Sequence, residues 1–315
     1  MLADAVLGLD DFMGPNEGLS RDSQIGSIGG GNHFVEVQSV QSIFDARTAH
    51  QWGLRRGMVT VMVHTGSVAI GHVCGNHYRE QVRGLFPKTL TYPANALFPL
   101  PTGQAHQAQV ESFWNALHNA ANFAFANRHF LALMAVEGLC RVLGEFEQTL
   151  LYDAPHNLVW REHDEQGEVF VHRKGACPAR GFEAMAESPF AFTGERVLVP
   201  GSMGASSFVM AGQGNADALC SASHGAGRRL SRGQASRGDE AAFRSFLERF
   251  RIVTPVDLRR QDVKLRRDIV ARKLAELRQE APQAYKDLGP IVTTLRDAGV
   301  ARPVAELRPL MTLKA

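Results

Sequence analysis

The sequence of 315 residues lacks the features that mark several large classes of protein. It has no apolar run of about 18 residues, the length that a membrane-spanning helix needs. Its first residues also lack the basic start of a secretory signal. The four cysteines, Cys74, Cys140, Cys177 and Cys220, are far apart and form no Cys-x-x-Cys pair, which argues against a disulfide framework or a zinc ribbon. We therefore expect a cytoplasmic location and no membrane partner.

The chain also lacks an excess of charge of either sign. Its 34 Lys and Arg residues against 32 Asp and Glu residues give a formal net charge of +2. Bulk charge therefore does not indicate a nucleic-acid-binding protein, and any polyanion site has to be a local patch. We find no internal repeat, low-complexity segment or clear linker, so we expect one interleaved domain over residues 1–315 with no internal boundary.

Hydrophobic periodicity predicts a mixture of strands and helices. A glycine loop leads into an alternating strand from His33 to Gln38, and the continuous apolar run Met58–Val63 predicts a buried strand. Further strands are predicted at Gly167–His172, Val197–Val199 and Phe208–Ala211. Helical patterns cover residues 105–146, as two helices with a break or bend, and residues 239–251 and 262–285. The proline-rich residues 79–105 predict an irregular connection.

A Gly/Ser loop and a single histidine dominate the stretch from Val197 to Arg232. Small residues let a ligand approach the backbone closely, and free N–H groups suit an anionic oxygen. A helix beginning near Gly225 would stack Arg228 and Arg232 on one face and place its N-terminus beside His224. His224 could then be a nucleophile toward phosphorus. The alternative is an ordinary turn with a structural histidine.

Three further histidines, His33, His64 and His156, lie at the ends of predicted strands. Imidazoles from three separate elements suit a transition metal such as Mn, Fe, Co or Zn. Each could equally be an ordinary histidine, because no local spacing connects them.

Basic residues offer two candidate anion sites, each with a plain alternative. Arg173 and Lys174 follow a strand and either hold a phosphate oxygen or are solvated. The helix over residues 262–285 and the residues before it could follow an RNA backbone. Interspersed acidic residues favour a solvated face instead. The basic residues of this segment are Arg259, Arg260, Lys264, Arg266, Arg267, Arg272 and Lys273.

Several long motifs resemble those of the RtcB family of RNA ligases, in the same order along the chain. They are Gly29-Gly-Gly-Asn-His-Phe-Val-Glu36, His64-Thr-Gly-Ser67, Ala121-Asn-Phe-Ala-Phe-Ala-Asn-Arg128, His156-Asn157, His172-Arg-Lys-Gly-Ala176, Pro200-Gly-Ser-Met-Gly204, His224-Gly-Ala-Gly-Arg228, Ala284-Tyr-Lys286 and Arg308-Pro-Leu-Met-Thr-Leu-Lys314. The similarity covers nearly the whole chain. It implies an α+β protein with the RtcB-type fold, in which helices surround mixed β-sheets.

The resemblance implies a ligase that depends on GTP and Mn²⁺ and acts in RNA repair or tRNA splicing. Such enzymes join an RNA 3′-phosphate or 2′,3′-cyclic phosphate to a 5′-hydroxyl through a histidine–GMP intermediate, and an archease-type helper protein is an expected partner. By position, His224 is the nucleophile, and the expected metal ligands are His33, His64 and His156.

The remaining residues follow from the same resemblance. The expected guanylate contacts are Asn32, His33, Phe34, Val35, Glu36, His156, Asn157, Pro200, Gly201, Ser202, Met203, Ser207, His224, Gly225, Ala226, Gly227, Tyr285 and Lys314. Lys174, Arg228 and Arg232 are the expected phosphate or RNA contacts.

Two departures from the family pattern matter. No Asp-x-x-Cys segment precedes Asn32, although in the family this segment supplies two further metal ligands. We therefore expect an N-terminally truncated form, which is either a fragment of a longer product or a protein that keeps only the three histidines; three imidazoles could hold one divalent ion but would hold two poorly. Val68 stands where the family usually has arginine, which should weaken binding of a phosphate or RNA end. The alternatives are a non-catalytic guanylate- or RNA-binding relic and a metal-dependent cyclic phosphodiesterase.

Overall fold

A computed structural model describes residues 24–164 and 167–315. Its strands are β1 (Phe34–Ile43), β2 (Val59–His64), β3 (Asn157–Asp164), β4 (Gly167–Lys174), β5 (Ala176–Pro178), β6 (Arg196–Val199), β7 (Ser207–Gly212), β8 (Ser221–Ser223), β9 (Arg251–Val253) and β10 (Ala301–Leu313). Its α-helices are α1 (Ala46–Gln51), α2 (Ala69–Leu85), α3 (Gln107–Leu143), α4 (Arg232–Ser236), α5 (Glu240–Arg249), α6 (Gln261–Leu265), α7 (Arg267–Gln279) and α8 (Gly289–Asp297). The predicted α+β class is confirmed.

The long strand β10 is the centre of the main sheet. Five strands follow the order β2-β1-β10-β7-β6, and a sixth, β9, pairs with β10 in parallel. Two prolines of β10, Pro303 and Pro309, lie at the shifts in register against β7 and β1. Because proline has no N–H to donate, bulges are where a paired strand tolerates it. The bulges allow one strand to pair along its whole length despite both prolines.

The main sheet is buried on both faces. Val209 and Met210 are neighbours in β7 and are both fully buried, yet they belong to different apolar clusters. Successive side chains of a strand point to opposite faces. One cluster contains Phe34 and Val304, and the other contains residues of β6 and of helix α8, such as Val292. Burial on both faces makes this sheet a rigid support for the residues at its strand ends.

The described residues form two compact units that alternate along the sequence. One contains residues 24–29 and Thr65–Met134, and the other contains Gly30–His64 and Ala135–Ala315. No single cut of the chain separates them, because each unit contains two segments that are separated in sequence by a segment of the other. The expectation of one interleaved domain stays a prediction.

The predicted strands at 167–172, 197–199 and 208–211 are confirmed, but the predicted burial of β2 is wrong. Among the described strands, β2 pairs with β1 alone and lies at the end of the sheet order. Val59, at its start, is half exposed, and only Met62 and His64 in this strand are buried. A continuous apolar run therefore does not distinguish an edge strand from a central one.

The predicted break between residues 105 and 146 is also wrong, since α3 is one continuous helix of 37 residues. Asn127 is fully buried in it, and its amide bonds the backbone of Gly26, Ser27 and Gly66. A polar residue with these partners does not interrupt a helix. Within the described chain, no helix combines the length and the apolar composition that crossing a membrane requires.

The predicted irregular connection is correct only after residue 85. Helix α2 extends to Leu85 and ends before Pro87, which disfavours helical geometry at the residue before it. Residues 239–251 and 262–285 contain the predicted helices, although the second is interrupted at Arg266.

Candidate functional site

Four histidines from separate parts of the sequence meet at strand ends. His64 is the last residue of β2 and lies opposite Phe34, so His33 and His64 occupy the same end of the β1–β2 pair. The short strand β5 connects the other two, because the N–H of Ala176 donates to the carbonyl of His156 and the N–H of His224 donates to the carbonyl of Gly175. Strand pairing thus brings together residues up to 191 positions apart in sequence.

The four rings form one cluster. The Nε2 atoms of His64 and His224 lie 3.1 Å apart. The rings of His156 and His224 are stacked, with centroids 3.5 Å apart and planes within 3°. The centroids of His33 and His64 lie 5.5 Å apart. The structure therefore places the three predicted metal ligands beside the predicted nucleophile.

Burial keeps the central imidazoles neutral. It lowers the pKa of His64 well below the usual value, and the neighbouring His224, His156 and His33 lower it further. Burial also lowers the pKa of His224 well below the usual value, and the neighbouring His156 and His33 lower it further. A neutral imidazole has a lone pair, which it needs both as a metal ligand and as a nucleophile.

The cluster fits a divalent metal ion. Donor atoms of His64, His156 and His224 all lie within 4.8 Å of one another. The Nδ1 atoms of His64 and His224 are buried and have no hydrogen-bond partner among the described residues. Buried polar atoms are almost always satisfied, so orphaned ring nitrogens indicate a missing ligand. A set of three imidazoles suits Zn, Fe, Co or Ni as well as Mn, so the donor set does not select one metal.

A cleft of about 820 Å³ opens beside His224. Nine of the predicted guanylate contacts line it, namely Asn32, Pro200, Gly201, Ser202, His224, Gly225, Ala226, Gly227 and Tyr285. This volume lies within the range of about 300–1,000 Å³ typical of pockets for small molecules. Sequence reasoning gave no site role to four charged residues in the lining, Arg229, Lys286, Asp287 and Glu306. Asp287 and Glu306 lie outside every motif that the sequence offered.

Gly201 is a steric requirement of the cleft wall. A Cβ at this position would lie 2.4 Å from the carbonyl oxygen of Ala205 and 2.5 Å from that of Ser206. A Cβ on Gly225 would lie 3.2 Å from the carbonyl oxygen of Pro200. The two glycine loops therefore contact each other through their backbones, which leaves their N–H groups close to any ligand in the cleft.

A buried polar network lies behind this wall. Gln38 donates to Glu36 at 2.8 Å and to the hydroxyl of Ser207 at 3.1 Å, and Ser207 accepts from the N–H of Gly201 at 3.0 Å. The hydroxyl of Thr312 donates to Glu36. Burial raises the pKa of Glu36 to about 7, against the opposing effect of these hydrogen bonds. The network fixes the glycine loop to the sheet. Thr312 lies within the motif Arg308–Lys314, but sequence reasoning gave no role to Thr312 or to Gln38.

Lys314 holds the loop before β1 in place. Its ammonium donates to the carbonyls of Gly31 at 2.6 Å and His33 at 2.9 Å. Burial lowers the pKa of Lys314 to about 8, while the carboxylates of Glu280 and Glu36 raise it. The lysine therefore orients the segment that carries Asn32 and His33.

Other predicted guanylate contacts lie outside the cleft lining. Phe34, Val35, Met203 and Ser207 are buried, and Phe34 and Met203 belong to apolar clusters. The side chain of Asn157 accepts from the N–H of Gly175 at 2.9 Å, which orients one residue of the lining. Their predicted contacts with guanylate stay predictions.

The predicted helix at Gly225 is wrong. Residues 224–231 form a loop, and α4 begins only at Arg232, after the N-cap residue Ser231. Arg228 instead donates to Glu280 at 3.1 Å and to the hydroxyl of Tyr285 at 2.9 Å. Glu280 also forms an ion pair with Arg232 at 3.7 Å. Glycines in the loop oppose helix formation, and the buried Glu280 supplies a competing partner 52 residues away.

The two basic residues at the end of β4, Arg173 and Lys174, lie in different environments. Arg173 is buried and donates to both carboxylate oxygens of Glu162, at 2.7 and 3.0 Å. Lys174 is exposed at the end of β4. Arg173 is thus structural, and Lys174 stays a predicted phosphate or RNA contact.

Comparison with known proteins gives consistent matches over most of the chain. A family model described as "tRNA-splicing ligase RtcB" matches residues 13–315. The chain is 38% identical over 303 residues to the RNA-splicing ligase RtcB of Mycobacterium tuberculosis, covering 92% of this chain and 65% of that protein. It is 37% identical over 310 residues to the tRNA-splicing ligase RtcB of Pyrococcus furiosus, covering 92% of this chain and 30% of that protein. The chain thus spans less than two thirds of the length of these relatives.

Proposed function

Because the chain belongs to the RtcB family, we propose that it is an RNA ligase in RNA repair or tRNA splicing. The proposed reaction joins an RNA 3′-phosphate or 2′,3′-cyclic phosphate to a 5′-hydroxyl. RNA is the proposed substrate because the relatives are named as RNA-splicing and tRNA-splicing ligases. The observation that carries the proposal is a neutral histidine, His224, at the meeting point of an imidazole cluster and a glycine-lined cleft.

His224 is the proposed nucleophile. A lone pair on its ring attacks the α-phosphorus of GTP, an N–P bond forms, and the bond to the bridging oxygen breaks as pyrophosphate leaves. An oxygen of the RNA 3′-phosphate then displaces the histidine and takes the GMP. The RNA 5′-hydroxyl loses its proton, attacks the activated phosphate and releases GMP. Water opens a cyclic phosphate before these steps. The lowered pKa of His224 supports the first attack, because only neutral imidazole is nucleophilic.

His33, His64 and His156 are the proposed ligands of Mn²⁺. When bound, the ion would neutralise the charge of the triphosphate and assist departure of the leaving group. The residues themselves contribute orientation. The stacking of His156 on His224 and the contact between His64 and His224 fix the plane of the proposed nucleophile.

The glycine loops are the proposed binding site for GTP. Backbone N–H groups of Ser202 and of Gly225 to Gly227 lie at the cleft and suit phosphate oxygens. Tyr285 lines the same cleft and offers a ring face for the base. Burial, together with hydrogen bonding to Glu280, raises the pKa of Tyr285, so the phenol stays neutral and holds its position.

Val68 bears on the binding of RNA ends. It immediately precedes α2 with φ of 51° and ψ of −123°, a backbone conformation rare for a β-branched residue. Its side chain supplies no cation where the family usually has arginine. The proposed weakening of phosphate binding rests on this missing charge.

A metal-dependent cyclic phosphodiesterase is the second candidate. It is favoured by the close approach of His224 to His64 and His156, since all three could bind one ion. A metal ligand has no lone pair left for attack on phosphorus, so the two functions assign His224 incompatible roles.

Labelling with GTP distinguishes the two candidates. We expect incubation with Mn²⁺ and GTP labelled at the α-phosphate to give an acid-labile, protein-bound label. His224→Ala should abolish it, whereas the exposed His72→Ala should retain it. Absence of label at saturating metal would overturn the ligase. Opening of a cyclic phosphate without any label would establish the phosphodiesterase.

A further inference from the structure

The basic segment after residue 258 has two kinds of cation. Most of its arginines are neutralised locally, since Arg259 pairs with Asp257 at 3.1 Å and Arg260 pairs with Asp262 at 2.6 Å. Arg266, Arg272 and Lys273 also have acidic partners within 4.0 Å. In the described part of the chain, Lys264 and Arg267 have no side-chain hydrogen bond or ion pair. The segment is therefore not a uniform basic face, and its unbalanced charge is at two positions.

Both unpaired cations line a small groove between α5 and α7. Its lining is Glu240 and Arg244 from α5, Lys264 from α6, and Arg267, Val270, Ala271, Leu274 and Arg278 from α7. The five residues of α7 follow helical spacing and form one face. Leu274 is buried and Val270 partly buried, so the groove has an apolar floor and a charged rim.

Four cations surround a single carboxylate in this groove. Glu240 accepts from Arg244 at 2.6 Å and lies 3.7 Å from Arg278. The one negative charge of Glu240 is thus shared between two arginines, and Lys264 and Arg267 have no acidic partner among the described residues. The Nε of Arg278 is buried and has no hydrogen-bond partner among the described residues. The groove therefore has unused donors and a net charge of about +3, which favours an anionic occupant.

The volume of the groove limits the occupant. About 230 Å³ is less than most pockets that enclose a whole small molecule. It suits a phosphate group of a strand that passes over the rim, with the rest of the strand outside. An arginine and a lysine side by side are the usual contacts for a nucleic-acid backbone.

We propose that this groove binds the phosphate backbone of RNA, outside the cleft at His224. The proposal rests on the proposed function in naming RNA as the polyanion. Lys264 and Arg267 contact phosphates without reading bases, so binding through the groove is independent of sequence. The groove would hold the body of an RNA whose end enters the cleft.

A pair of double variants tests the groove. Lys264→Ala/Arg267→Ala removes the unpaired cations, and Arg259→Ala/Arg260→Ala removes the same net charge from locally paired positions. Binding of a single-stranded RNA with unreactive ends is measured by fluorescence anisotropy at several salt concentrations. We expect the first variant to weaken binding about tenfold at low salt and to reduce the slope of log K against log salt by about 1.4. The control should change affinity by about twofold or less, and Lys264→Arg/Arg267→Lys should bind like the unchanged chain. Equal loss in both double variants, or no binding of RNA by the unchanged chain, would overturn the proposal.

Two further measurements identify what has failed if the result is negative. Labelling with GTP in the absence of RNA reports on His224 and should be the same in all these variants. If the unchanged chain takes up no label, the proposed ligase activity is overturned. The proposal that the groove binds RNA is unaffected by that result. Polyglutamate is the probe for an acidic protein surface. If it binds as tightly as RNA and with the same loss in Lys264→Ala/Arg267→Ala, the groove is a protein-docking site and the RNA proposal is overturned.

Discussion

At the scale of single residues, the candidate site depends on close packing of the backbone at Gly201. Gly201 and Gly227 both line the cleft, but only Gly201 has atoms within 4 Å of a built Cβ. The same substitution should therefore have different effects at the two positions.

Gly201→Ala should destabilise the protein by about 1–3 kcal/mol, since a methyl group would overlap the carbonyls of Ala205 and Ser206. Gly227→Ala is the matched control and should change the free energy of unfolding by less than about 1 kcal/mol. Unfolding in urea, followed by circular dichroism, measures both. Equal stability of the two variants would show that the loop adjusts without cost.

Glu36 is the residue that should make stability depend on pH. Its pKa is raised by burial from 4.5 to about 7, so the folded state binds the proton more tightly than the unfolded state does. The stabilising effect of this proton is complete below pH 4.5 and is lost as pH rises through 7, with a size of about 3 kcal/mol. Glu36→Gln should remove this loss.

The free energy of unfolding between pH 4.5 and 8 tests the prediction for Glu36. His64 and His224 titrate in the same range with the opposite sign, because their lowered pKa values make the folded state lose stability as pH falls below 6.5. The difference in the free energy of unfolding between the unchanged chain and Glu36→Gln isolates the contribution of the Glu36 carboxyl group. The exposed Glu168→Gln is the control and should follow the unchanged chain. Parallel curves for all three proteins would contradict the assignment.

At the scale of elements, one buried amide connects a helix to two loops. Asn127 of α3 accepts from the N–H groups of Gly26 at 2.8 Å and Ser27 at 3.0 Å, and it donates to the carbonyls of Ser27 and Gly66. A leucine or alanine here would satisfy the pattern of an apolar helix face but leave those backbone groups without partners.

Asn127→Ala should therefore lower the free energy of unfolding by about 3 kcal/mol, while Asn122→Ala, an exposed position on the same helix, should leave it nearly unchanged. Thermal unfolding compares the two variants. A similar small effect at both positions would mean that water or a local shift satisfies the loops.

At the scale of the whole molecule, metal binding should be linked to folding. The imidazole cluster joins the end of β2, the residue after β8 and the residues before β1 and β3, which are distant in sequence, so the site exists only in the folded state. A metal at about 100 times its dissociation constant should stabilise the fold by about 2.7 kcal/mol.

The melting temperature with and without added metal measures this linkage. We expect an increase with Mn²⁺ and a larger one with Zn²⁺, because imidazole ligands follow the Irving–Williams order. A chelator should reverse the increase. His156→Ala should lose it, and the exposed His72→Ala should keep it. The same increase in His156→Ala would place the metal elsewhere.

The sequence alone determined the family, the α+β class and the identity of the four clustered histidines. Long motifs carry this information because each one combines a backbone requirement, such as the glycines at 201 and 225, with a chemical group such as His224. Strands at β4, β6 and β7 also followed from local pattern.

Only the tertiary structure decided which of these groups meet and which have other partners. Strand pairing brought His64 to within 3.1 Å of His224, and no local spacing predicted it. Arg228 pairs with Glu280 in a loop and not within the predicted helix, and α3 continues through the buried Asn127. The physical reason is the same in each case: a polar side chain takes the partner that folding brings within hydrogen-bond distance, and that partner is often remote in sequence.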